Sequence, residues 1–170
     1  FRLPIDRIFT LKGFGTIVTG TLTDGALLTE QALTVYPSEI PTRARSIQVH
    51  GRTVQAAQAG QRTAINLHGI DRTAIARGDV LASPNAFSAT RILDVAYRQL
   101  EGAPALTRRR RLRLLIGTRD VSATLAFLGN SPSPDGGWNA AQLRLEEPVV
   151  AAALDHSILR LPSPATTLGG

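Results

Sequence analysis

Short apolar and β-branched runs alternate with glycine- and proline-bearing breaks along the whole chain. Residues 3–11 read as a strand, and residues 15–23 (GTIVTGTLT) form a second run rich in Thr, Val and Ile. That run ends at Asp24-Gly25, a dipeptide that signals a hairpin. Residues 32–36, 42–50, 62–67 and 80–82 continue the series. Residues 71–76 are long enough for one helical turn and too short for an amphipathic helix. A second set follows at residues 91–100, 111–116, 121–128, 138–145 and 157–161. Alternation is imperfect over 91–100, which leaves a helix open there. Ser83-Pro84-Asn85 marks the boundary between the sets, and residues 131–137 (SPSPDGG) read as a loop. The spacing predicts an all-β chain of two consecutive small domains, residues 1–84 and 88–170, each a barrel or sandwich.

Composition narrows this further. The 15 Gly and 10 Pro are spread over all 170 residues and leave little room for long helices. A hydrophobic fraction of 43% is ordinary for a globular protein and is enough for a packed core. With no Cys, disulfides and thiolate metal sites are excluded. No apolar run of spanning length and no signal-peptide pattern is present, so the expected compartment is the cytoplasm, without a membrane partner.

The net charge is +6, and 18 of the 19 basic side chains are Arg. Residues 1–85 carry nine basic and six acidic groups, and residues 86–170 carry ten and seven, so each half contributes +3. A distributed positive balance permits nucleic-acid contact without requiring it. A GC-rich genome would also favour Arg over Lys.

Several motifs have a bland reading beside a chemical one. Gly13-Phe14-Gly15-Thr16-Ile17-Val18-Thr19-Gly20 has the look of a phosphate loop, but β-branched residues follow it instead of a helix, and no Gly-Lys-Ser/Thr is present. It reads as a tight turn between paired strands. His50, His68 and His156 lack metal-ligand spacing. Nothing resembles a nucleophile with its base. Glu146 and Glu147 are adjacent, which in a regular strand sends them to opposite faces and makes them a poor acid/base pair. No catalytic residue, metal ligand or cofactor is therefore expected in this chain.

The run Arg108-Arg109-Arg110-Arg111-Leu112-Arg113 is the sharpest charge feature. A strand beginning early would put Arg108 and Arg110 on the core side, which is costly. The strand is therefore expected to start near Arg111, leaving Arg108, Arg109 and Arg110 in a loop, either as a solvated strand end or as contacts to RNA phosphates. Asp6-Arg7 interrupts an apolar strand (Leu3-Pro4-Ile5-Asp6-Arg7-Ile8-Phe9), as a buried ion pair or as a polar binding spot on a barrel.

Residues 1–9 (FRLPIDRIF), followed by residues 12–21 (KGFGTIVTGT), resemble the opening of the second domain of translational GTPases. Residues 43–51 (RARSIQVHG), Ala59-Gly60-Gln61-Arg62 and Ala64-Ile65-Asn66-Leu67 are similar to the selenocysteine-specific branch of that family. Arg77-Gly78-Asp79-Val80-Leu81 matches the family's arginine-glycine turn, and residues 157–160 and 166–170 resemble the close of the third domain. The match is strong over residues 1–82 and thin over residues 86–155.

The resemblance implies two β-barrels of the elongation factor Tu domain 2 and domain 3 type. Together they would hold the aminoacyl end and acceptor arm of selenocysteinyl-tRNA for delivery to the ribosome. It further implies a GTPase domain, with its GTP and magnesium, before this segment. It also implies a winged-helix region reading an mRNA hairpin after it, and a third domain that continues past Gly170. The fragment itself is expected to bind and not to catalyse. The family's selenocysteine pocket maps onto Asp6, Arg7 and Arg62. Two permanently charged guanidiniums would favour a selenolate over serine's neutral hydroxyl. Neighbours in a regular strand face opposite sides, so Asp6 and Arg7 can share a site only at a bulge or strand end, or with Asp6 merely bracing an arginine. Two alternatives remain: the barrels of another elongation or initiation factor, and a structural docking module.

Overall fold

Period-two alternation decides which runs become strands and which face of each is buried. The structure is a computed structural model and describes residues 1–104, 106, 110–129 and 137–170. All but the last residue of the loop expected over 131–137 lies outside the described residues. The chain divides into two units, Phe1–Ala89 and Thr90–Gly170.

The first unit contains β1 (Arg2–Leu11), β2 (Gly15–Thr21), β3 (Ala26–Leu28), β4 (Ala32–Tyr36), β5 (Ile40–Val49), β6 (Arg52–Val54), β7 (Ala56–Gln58), β8 (Arg62–Leu67) and β9 (Val80–Ala82). The strand order is β4-β9-β1-β2-β8-β5-β6, and an additional β4–β5 pairing closes six of these strands into a barrel. Closure leaves no sheet edge on the six. Leu3, Ile5, Val18, Ile47, Ile65 and Leu81 fill the interior and are fully buried. The β1–β2 connection is a tight turn: Gly13 and Gly15 take φ of +84° and +89°, which glycine adopts without a Cβ clash, and Phe14 N donates to Leu11 O at 3.0 Å. A strand follows it, in agreement with the turn reading over the phosphate-loop one.

Asp24-Gly25 does not make the expected hairpin. The second edge of β2 is taken by β8, and β3 pairs with β7 in a separate two-stranded sheet. The chain instead crosses β1 there, with Arg2 N donating to Asp24 O at 3.0 Å. Residues 72–74 form one 3-10 turn, capped by Asp71, whose Oδ1 accepts from Thr73 N at 2.7 Å.

The second unit contains β10 (Thr90–Tyr97), β11 (Arg111–Ile116), β12 (Arg119–Phe127), β13 (Asn139–Val149), β14 (Ser157–Arg160) and β15 (Thr167–Gly169), in the order β10-β13-β12-β11-β14-β15. Residues 90–97 are a strand, which closes the helical option left open by their imperfect alternation. The segment after β10 then meets β15: Leu100 N donates to Leu168 O at 2.8 Å and Arg98 N to Gly170 O at 2.9 Å. These bonds join the two ends of the sheet into a second barrel. Tyr97 is buried at this seam, its hydroxyl donating to Leu168 O at 3.2 Å, and burial pushes the phenol up to about 12. Leu112, Leu114 and Ile116 point inward and Arg111 and Arg113 outward, as a strand starting at Arg111 requires. No helix among the described residues is long and apolar enough to cross a membrane.

Candidate functional site

The site begins with a fault in the β1–β2 register. Ile5 pairs with Gly20, but the next pair is Arg7 with Thr19, so Asp6 is an extra residue on β1. A bulge of this kind shifts the alternation by one. Before it, Leu3 and Ile5 face the core; after it, Ile8 packs against the core while Arg7 and Phe9 face out. Without the bulge Arg7 would point into the barrel, where an unpaired guanidinium is strongly disfavoured. The bulge therefore puts both Asp6 and Arg7 on the outer surface. It also resolves the difficulty that neighbouring residues otherwise face apart.

Registers carry the site across the sheet. Arg7 lies opposite Thr19, Thr19 opposite Ala64, and Ala64 opposite Gln48. Thr19 and Ala64 are small and form a low floor. Arg62 stands one row further along β8. At the far side β5 and β6 are joined by a two-residue turn, His50-Gly51, with φ of +51° and +75° between the paired Val49 and Arg52. Both positive angles are those of a type I′ hairpin. The result is an open cavity of about 330 Å³, with Arg7, Phe9 and Thr19 on one side and Gln48, His50, Gly51 and Arg62 around the rest.

Asp6 stands beside this cavity and not in its wall. Its Oδ2 accepts from Arg62 Nη2 at 2.6 Å, and Arg77 Nε lies 3.6 Å from Oδ1. The hydrogen bond from Arg62 holds the Asp6 carboxyl below its ordinary range; partial desolvation opposes this, and the charges of Arg62, Arg77 and Arg7 add to it. Arg62 is half exposed in the pair, so the bond orients a guanidinium at the cavity mouth more than it stabilises the fold. The Arg7 side chain makes no hydrogen bond or salt bridge among the described residues, and its backbone pairs with Thr19. Two guanidiniums thus border one concave surface, one of them braced by a carboxylate.

The remaining sequence-derived candidates fare differently. Arg108 and Arg109 lie outside the described residues, and Arg110 is exposed ahead of β11. The arginines that follow are engaged on the surface of the second barrel: Arg111 with Glu146, Arg113 with Asp120 at 2.8 Å, and Arg119 with Glu147 at 2.5 Å. Glu146 and Glu147 are both exposed and engage different arginines, Arg111 and Arg119, so they do not act as a pair. The pairing of β13 with β10 jumps from Arg144 to Val149 there and interrupts the alternation. No group of metal-binding side chains occurs among the described residues. Sequence reasoning missed Gln48, His50 and Gly51. The signal was available: His-Gly between two strand-like runs is a two-residue hairpin, which fixes the β5–β6 register and turns Gln48 outward.

No protein-family model matches the chain. It is 37% identical, over 171 residues and its full length, to the selenocysteine-specific elongation factor of Desulfomicrobium baculatum, covering 27% of that protein. It is 32% identical over 174 residues, again its full length, to the selenocysteine-specific elongation factor of Escherichia coli K12, covering 26% of it. The fold is similar to the crystal structure of translation elongation factor SelB from Methanococcus maripaludis, with a TM-score of 0.84 at 25% identity over 99% of this chain and 41% of that one. The chain spans about a quarter of the length of the curated relatives it matches. Over its full length the chain is similar to one part of the selenocysteine-specific elongation factors, and its fold matches the corresponding part of SelB.

Proposed function

We propose that the first barrel holds the aminoacyl end of selenocysteinyl-tRNA in the cavity between β1, β2, β8 and the β5–β6 turn. The single observation carrying this reading is the convergence of Arg7 and Arg62 on one open cavity with an uncharged floor. A selenol is ionised at neutral pH, whereas a serine hydroxyl is not. Charge-assisted contacts to the selenolate are stronger than contacts to a neutral hydroxyl, so two guanidiniums discriminate in its favour. Asp6 is a positioning residue, which keeps Arg62 at the cavity mouth. Arg108, Arg109 and Arg110 are candidates for backbone phosphates of the same tRNA, which would carry no information about the attached amino acid.

The whole factor would deliver this tRNA to the ribosome in the cytoplasm. GTP and magnesium would be bound, and GTP hydrolysed, by a domain outside this chain, against which these barrels pack. An mRNA hairpin would be read by another region. The chain itself would bind without catalysing. Titrating it with selenocysteinyl-tRNA and with seryl-tRNA on the same tRNA body tests the reading. Tighter binding of the selenocysteinyl form is expected; equal affinity would overturn it.

A further inference from the structure

Phe87 lies past the end of β9, yet side chains from the strands on either side of β9 hold it. Tyr36 comes from β4 and Arg2 from β1, and both strands pair with β9. After Ala82 the chain reverses at Ser83-Pro84-Asn85-Ala86, where Ala86 N donates to Ser83 O at 3.3 Å. Pro84 in second place and Asn85, with φ of +58°, in third are what a type II turn asks for. The Tyr36 hydroxyl donates to the same Ser83 carbonyl at 3.3 Å. Phe87 then meets Tyr36 edge-to-face, with ring centroids 6.1 Å apart and planes at 81°. The Arg2 guanidinium carbon stands 5.9 Å from the centre of the Phe87 ring. Edge-to-face pairs and cation–π contacts are both attractive at these separations. Phe87 is half-buried, while its neighbours Pro84, Asn85, Ala86, Ser88 and Ala89 are exposed. The segment that reads as a boundary in the sequence is therefore tied to the first barrel as far as Phe87.

We propose that Phe87 is a positioning residue, a clasp that makes the linker part of the first barrel and keeps the tether to the second barrel short. This rests on the reading that both barrels hold one tRNA. Between Phe87 and Thr90, the first residue of β10, only Ser88 and Ala89 intervene. Two extended residues reach about 7 Å. With Phe87 released, the chain is free from Ser83 to Ala89, and that stretch reaches roughly 25 Å. A ligand that bridges two modules makes its second contact at an effective concentration set by the tether. That concentration falls about as the −3/2 power of tether length. The clasp therefore raises affinity for the tRNA body, whichever amino acid is attached. Arg2, Tyr36 and Phe87 lie outside the wall of the cavity that Arg7 and Arg62 border, so the clasp does not distinguish selenolate from hydroxyl.

The test compares the wild-type chain with Phe87→Ala and Phe87→Tyr. Amide hydrogen exchange reads the clasp, and affinities for selenocysteinyl-tRNA and seryl-tRNA read its effect. In Phe87→Ala, exchange at Ala86 should speed up while the strand amides stay protected. Both affinities should fall roughly three- to sevenfold, the size set by the change in tether length, with their ratio unchanged. Phe87→Tyr, which keeps the ring, should behave as wild type. Unchanged exchange at Ala86 in Phe87→Ala overturns the clasp. Faster exchange with both affinities intact overturns its role as a tether. A loss confined to the selenocysteinyl form overturns it too, by placing the effect in the cavity. Equal wild-type affinities that both fall in Phe87→Ala overturn the aminoacyl reading of the cavity and leave this inference standing.

Discussion

Arg62 donates to Asp6 across 2.6 Å, joining the first residue of β8 to the bulged residue of β1, 56 positions earlier in the chain. The pair joins two strands that are not neighbours in the sheet, since β2 lies between them. Asp6 reaches Arg62 because the bulge takes it out of the regular β1–β2 register.

The pair has a pH signature. The Asp6 carboxyl is held below its ordinary range in the folded state by its bond from Arg62. Its contribution to stability is therefore present above the unfolded value of about 3.9 and is lost as the pH falls through the lower folded value. Asp6→Asn should lower the melting temperature slightly at pH 6–7, with the difference closing below about pH 4. Thermal melts of both proteins across pH 3–7 check this. A difference independent of pH would mean that packing, not charge, is what Asp6 supplies.

Gly20 is the residue that lets β1 and β2 close at the bulge. It pairs with Ile5, and a Cβ built on it would lie 2.2 Å from Pro4 O and 2.7 Å from Leu3 Cδ2. The first of these is backbone and cannot rotate away. Gly20→Ala should cost about 1–3 kcal/mol, the usual cost of overpacking, read as a shift in the urea midpoint. An unchanged midpoint would show that the two strands do not approach this closely.

Much of this fold is legible in the sequence, for physical reasons that can be named. The start of β11 at Arg111 follows from the cost of burying Arg108 and Arg110, and the Gly13–Gly15 turn follows from the β-branched residues after it. The Asp6-Arg7 bulge enters the sequence reading only as a condition, because a bulge is a mismatch in length between two strands and neither strand carries it alone. Asp24-Gly25 misleads because turn chemistry is local, whereas barrel closure, which gives the second edge of β2 to β8, is not. Residues 91–100 stay ambiguous because a strand whose outer face carries apolar side chains such as Ile92 loses its clean alternation.

The Arg108-Arg109-Arg110 run is expected to touch phosphates and not the amino acid. Replacing all three with Ala should weaken seryl- and selenocysteinyl-tRNA binding alike. It should also flatten the dependence of log affinity on log salt by roughly 0.7–0.9 for each phosphate that is no longer neutralised. Affinity measured at a series of salt concentrations decides it, and unchanged binding and slope would return the run to solvent.

The central claim is that Arg7 and Arg62 read the side chain on the tRNA. The direct measurement is the affinity of Arg7→Ala and Arg62→Ala for selenocysteinyl-tRNA and seryl-tRNA, taken beside their melting temperatures. Each variant should weaken selenocysteinyl binding by about 1–3 kcal/mol, the usual size of a hydrogen bond to a charged group, with little change for the seryl form and little change in melting temperature. Equal losses for both tRNAs, or a large fall in melting temperature with affinity intact, would contradict the account.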